Sequence, residues 1–85
     1  MYKIELRRLA QKVLDKLPKN DFQAVLEATK ELAQIPRPRG VEKVKSTGLW
    51  RIRKGDYRII YNIDDKQLLI TVVGIGHRRE IYRSL

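Results

Sequence analysis

Trp50-Arg51-Ile52-Arg53-Lys54-Gly55-Asp56-Tyr57-Arg58-Ile59-Ile60-Tyr61 decides the fold of this chain, because two alternating runs meet at a Gly-Asp pair. Gly-Asp in that setting marks a tight β-hairpin. Strand parity puts Leu49, Arg51 and Arg53 on one face, and Trp50, Ile52 and Lys54 on the other. The apolar Trp50 and Ile52 belong against a core, which leaves Arg51 and Arg53 side by side on the opposite face. Arg58 joins them if the neighbouring strand keeps the same parity. Clustered arginines on adjacent strands repel one another unless an anion is expected there, and the guanidinium fork matches phosphate.

Working outward from the hairpin, Val41 to Lys45 reads as a short strand closed by Ser46-Thr47-Gly48. Beyond Tyr57 to Ile63, Asp64-Asp65 makes a second turn. Lys66 to Ile75 then reads as a strand buried on both faces around Leu68-Leu69-Ile70-Thr71-Val72-Val73. Upstream, Pro36-Arg37-Pro38-Arg39-Gly40 cannot continue a helix. The preceding stretch from Asn20 or Asp21 to Ile35 is helical, with Phe22, Val25, Leu26, Thr29, Leu32 and Ala33 on its inward side. A first helix carries Leu6, Leu9, Ala10, Val13, Leu14 and Leu17 at helical spacing and stops at Pro18, and Tyr2 to Leu6 alternates as a strand. The order β-α-α-β-β-β-β predicts an α+β fold: a small antiparallel-rich sheet with two N-terminal helices on one face, and a short helical turn over His77 to Leu85.

With 85 residues, the chain from 1 to 85 reads as one domain. A hydrophobic share of 42% beside 34% charged residues describes a folding sequence rather than a disordered one. No apolar run approaches the roughly 18 residues of a membrane span, and no signal pattern opens the chain, so the expected location is cytoplasmic. The absence of Cys and the presence of a single His remove disulfides, thiolate nucleophiles and the usual zinc sites. No acidic pair has the look of a metal site, so neither metal nor cofactor is expected. Ser/Cys nucleophile arrangements and phosphate-binding glycine loops are likewise missing.

Charge is placed unevenly along the chain. Residues 1–36 hold seven Lys/Arg against five Asp/Glu (+2), and residues 37–85 hold twelve against five (+7). A field of that sign attracts polyanions through phosphate neutralisation, and RNA is the first candidate. A second basic cluster, Gly76-His77-Arg78-Arg79-Glu80-Ile81-Tyr82, supplies an imidazole for proton transfer and a phenol ring for stacking on a base. These parts suit metal-independent RNA scission, in which the 2′-OH attacks the adjacent phosphate and leaves a 2′,3′-cyclic phosphate and a 5′-OH.

The hairpin ending in Gly-Asp-Tyr-Arg-x-x-Tyr and the late Gly-His-Arg-x-x-x-Tyr pattern together resemble the RelE/ParE toxin superfamily over essentially the whole chain. The resemblance implies the toxin of a type II toxin–antitoxin pair. In the RelE branch this is a ribosome-dependent endoribonuclease (mRNA interferase) that cleaves mRNA in the ribosomal A site and is inhibited by a bound RelB-like acidic antitoxin. By that similarity Arg51, Arg53, Arg58, His77, Arg78 and Tyr82 form the catalytic set, with Arg58 and Arg78 on the scissile phosphate and Tyr82 on the nucleotide. Lys43, Lys45, Lys54 and Arg79 are the expected contacts to RNA and the ribosome. RelE proteins commonly carry Lys where this chain has Arg51 and Arg53. Arginine does not give up its proton, so the similarity leaves His77 as the candidate for proton transfer. The superfamily also holds ParE-type toxins, which poison DNA gyrase and generally lack this basic and aromatic set, and a catalytically inert member would act through antitoxin binding alone.

Overall fold

The computed structural model describes residues 1–77, in the order β1 (Lys3–Leu6), α1 (Arg8–Lys16), α2 (Lys19–Glu31), β2 (Glu42–Val44), β3 (Leu49–Lys54), β4 (Tyr57–Asp64) and β5 (Leu69–His77). The strands form one sheet in the order β1-β5-β4-β3-β2. β1 runs parallel to β5, and the other three pairings are antiparallel. The expected antiparallel-rich sheet with helices on one face is the architecture found. The helical turn expected beyond His77 lies outside the described residues.

Local chemistry sets the element boundaries. Gly55 takes φ 60° at the first central position of the β3–β4 hairpin, where a II′-type turn requires glycine. α2 starts at Lys19, earlier than expected: Pro18 serves as N-cap and its carbonyl accepts the Phe22 N–H at 2.8 Å. Asn20 and Asp21 therefore sit inside the first turn, where Asp21 complements the helix dipole. The helix also stops at Glu31, short of Ile35. The Ala33 and Gln34 N–H groups bond three residues back, tightening the last turn, and the Ala33 carbonyl is taken by the Tyr2 N–H at 2.8 Å. β5 begins at Leu69 rather than Lys66, because Asp64 Oδ1 accepts the N–H groups of Lys66 (3.1 Å) and Gln67 (3.0 Å) and so builds the β4–β5 turn.

The core lies between the helices and one sheet face. Ala10 and Leu14 of α1 and Val25 of α2, with Leu32, meet Ile52, Ile59, Tyr61, Ile70, Val72 and Ile75. Leu9, expected on the inward stripe, is 64% exposed. At about 100° per residue it lies roughly 90° around the helix from the centre of that stripe, beyond what the sheet covers. Tyr61 is fully buried, and its hydroxyl donates to the Pro36 carbonyl at 2.7 Å. Burial pushes its phenol up to about 12.

One irregularity controls which face the end of β5 presents. Tyr61 pairs with Val72 and Ile60 with Gly74, so Val73 is an extra residue, a β-bulge. Before the bulge, Ile70 and Val72 face the helices. After it, Ile75 and His77 do. An unbroken strand would have put residues 73, 75 and 77 on the other side.

Candidate nucleic-acid interface

On the sheet face turned away from the helices, the β3–β4 register places Arg53 directly opposite Arg58 and Arg51 opposite Ile60. Directly opposed residues share a face, with Cβ atoms about 5 Å apart. The next strand sets Gly76 beside Arg58 and Gly74 beside Ile60, so it adds no side chain there. Arg53 is exposed and Arg58 half-buried. Arg51 is held by Glu42 from β2, with an N–O distance of 2.9 Å, and its side chain is only 23% exposed. Two arginine side chains thus start from directly opposed positions on one face, and a third, Arg51, is anchored by an acid. Bringing like charges together costs energy in water, and a phosphate bridging the pair offsets that cost.

Other residues singled out in the sequence fall elsewhere. Lys54, Tyr57 and His77 are cross-strand neighbours on the helix side of the sheet. The Tyr57 and His77 rings meet edge to face at 5.9 Å, and the Tyr57 hydroxyl lies 3.4 Å from Asp21 of α2. Burial first, then the Asp21 charge, raises the Tyr57 phenol above its ordinary range and keeps it a donor. His77, the candidate for proton transfer, lies on the face opposite Arg53 and Arg58, because the bulge at Val73 turns its ring to the helix side. Lys43, paired with Trp50, is on the helix side too, and its ammonium lies 5.0 Å from the Trp50 ring centre. Lys45 is exposed in the β2–β3 turn. Arg78, Arg79 and Tyr82 lie outside the described residues.

Two features escaped sequence reasoning. Glu42 as the partner of Arg51 follows from counting back from the Ser46-Thr47-Gly48 turn, a register that was available. Arg37 gave no such signal: it bonds Asp65 at 3.0 Å, with Tyr2 donating to the same carboxylate, and its guanidinium lies 5.0 Å from the Trp50 ring centre. Hydrogen bonds from Arg37, then from Tyr2, hold the Asp65 carboxyl below its usual range. This cluster ties the N-terminus and the proline loop to the β4–β5 turn and is remote from the arginine row in its chemistry. Among the described residues, no group of acids, His or Cys is arranged to hold a metal ion, and no helix is long and apolar enough to cross a membrane.

A five-stranded mixed sheet with an α-helical pair on one face and arginines on the other defines a class of small α+β proteins, and comparison with known proteins narrows it. The family described as "ParE toxin of type II toxin-antitoxin system, parDE" matches residues 4–82. The chain belongs to this toxin family, within the RelE/ParE superfamily of type II toxin–antitoxin systems. It is 32% identical over 84 residues to Toxin RelG of Mycobacterium tuberculosis, an alignment covering 96% of this chain and 97% of that protein. The RelE–RelB complex of Pyrococcus horikoshii contains a chain 34% identical, with a TM-score of 0.80 over 91% of this chain and 94% of that one. The toxin–antitoxin complex RelBE2 of Mycobacterium tuberculosis contains one 29% identical, with a TM-score of 0.79 over 91% and 98%.

Proposed function

We propose that the chain, acting as one domain over residues 1–85, is a ribosome-dependent endoribonuclease that cuts mRNA in the ribosomal A site and is restrained by an acidic antitoxin. The observation carrying this reading is the Arg53–Arg58 pair, opposed across a hairpin on the helix-free face beside Arg51. Supporting the partner is the fact that the similar RelE–RelB and RelBE2 structures are toxin–antitoxin complexes.

In the proposed reaction the ribose 2′-oxygen bonds to the adjacent phosphorus and the P–O5′ bond breaks. The 2′-OH proton passes to water and O5′ takes one from water, giving a 2′,3′-cyclic phosphate and a 5′-OH. Arg53 and Arg58 hold the phosphate in line and stabilise the charge that grows on its oxygens, and no metal is needed for that task. Arg51, oriented by Glu42, adds to the positive field. Guanidinium groups remain protonated throughout, so these residues supply charge and geometry rather than proton removal. Arg78 on the phosphate and Tyr82 against the nucleotide complete the set; Lys45 and Arg79 reach toward RNA, and ribosomes place the action in the cytoplasm. His77, Lys43 and Lys54 face the helix side and are not given a catalytic role.

The match to the ParE toxin family favours one second reading, inhibition of DNA gyrase. Timed expression separates the two. Loss of ribosome-bound mRNA before any DNA damage response is expected; DNA damage appearing first would replace the nuclease reading with the gyrase one.

A further inference from the structure

We infer that the cavity between the end of α2, the proline loop and β3 takes the base of a nucleotide flanking the scissile phosphate, and that this pocket biases which codons are cut. The inference deepens the nuclease reading above and rests on it. The cavity measures about 460 Å³, inside the range of small-ligand sites. Arg53 joins it to the arginine row: the same side chain stands opposite Arg58 on the helix-free face and lines this cavity from the edge of the sheet. β3 is an edge there, because β2 covers it only from Leu49 to Arg51. A phosphate held at Arg53 therefore leaves its flanking nucleotide beside the opening.

The lining matches a nucleobase in walls, charge and polar groups. Leu32, Ile35, Pro38 and Ile52 give apolar surfaces for the faces of the ring, and Ile35 is 58% exposed with no role in the core. Arg39 and Lys54 bring positive charge to the rim, where the sugar–phosphate chain has to cross. Glu31 also lines the cavity, and a carboxylate only accepts hydrogen bonds. Cytosine, adenine and guanine each carry an exocyclic amino group that donates to such an acceptor, and uracil has none. Among the described residues, 52–54 have no strand partner on this side and no loop backbone group bonds to them, so their N–H and C=O groups are open to the same base edge. A site built to accept from an amino group rejects a base lacking one, because its acceptor is then desolvated without a partner. The pocket thus disfavours uracil.

The test measures cutting of ribosome-bound mRNAs that carry each of the four bases in turn on either side of the cut. At one of the two positions the parent chain is expected to cut the uracil form about tenfold more slowly than the other three. Glu31→Ala is expected to abolish that difference, an effect that a merely structural role for Glu31 would not produce. Ile35→Asp sets a carboxylate in the apolar wall and is expected to slow all four forms by about tenfold, and Ile35→Leu to restore the rate. Glu31 and Ile35 are both exposed, so these variants should melt like the parent. Ribosomal cutting indifferent to the flanking bases, or a preference that Glu31→Ala leaves unaltered, would overturn this inference and leave the nuclease reading standing. No ribosomal cutting by the folded parent chain would overturn both.

Discussion

The two faces of the sheet come from the same strands, residue by residue, and have opposite chemistry. Ile52, Ile59 and Ile75 lie in register on the helix side and are buried. One position along, Arg53, Arg58 and Gly76 lie in register on the other side and bury no apolar side chain. Burial at about 25 cal/mol per Å² makes the first face the source of stability. The second buries Ile60, opposite Arg51, and otherwise concentrates like charge. The main core and the proposed site thus fall largely on alternate residues, and a one-residue slip would exchange them.

That contrast is most sharply broken or upheld by substitutions on each face. Replacing Arg53 and Arg58 together by Ala is expected to lower A-site cleavage by about 10²–10⁴-fold, the range typical of lost transition-state stabilisation. The unfolding midpoint should stay level or rise, since a repulsive pair is gone; parallel cleavage and melting measurements check both. On the helix side, Leu14→Ala is expected to cost about 2–5 kcal/mol in denaturant unfolding, a large share of the stability of so small a chain. Tyr61→Phe should cost less, about 1–2 kcal/mol, because the Pro36 carbonyl loses its donor.

Tyr61 also sharpens the comparison through pH. Its folded-state pKa, about 12, is above the ordinary 10, so the folded protein holds the phenol proton more tightly than the unfolded chain does. The resulting stability is fully present below pH 10 and is lost as pH rises through about 12. Urea titrations across that window should show the decline in the parent and a smaller one in Tyr61→Phe. The smallest effect is expected at His77: His77→Gln should leave cleavage near the parent rate, because the bulge turns the imidazole away from Arg53 and Arg58. A large loss of rate in this variant would show that the two faces cooperate.

Period and turn chemistry made much of this architecture readable. The 3.6-residue spacing of Ala10, Leu14, Val25 and Leu32 located both helices, and Gly55-Asp56 fixed the hairpin and with it the common face of Arg51, Arg53 and Arg58. What could not be read depended on partners distant in the chain. The bulge arises where β5 meets β4, and Val73 in Leu69-Ile70-Thr71-Val72-Val73 gives no local sign that it is the extra residue. The parallel pairing of β1 with β5 joins segments some sixty residues apart. The Arg37–Asp65–Tyr2 cluster likewise joins three segments that no short motif connects. Leu9 kept the helical period and was misplaced because a stripe's width is set by what covers it.

The central claim, that the helix-free arginine face acts on RNA presented by the ribosome, is met most directly by one assay. Purified antitoxin-free chain is incubated with ribosomes holding a defined mRNA in the A site, and separately with the same mRNA alone. A cut within the A-site codon carrying a 2′,3′-cyclic phosphate, absent on free RNA and lost with Arg53→Ala/Arg58→Ala, is the predicted result. No cut on the ribosome by folded protein, or equal cutting by the parent and the double variant, would contradict the account.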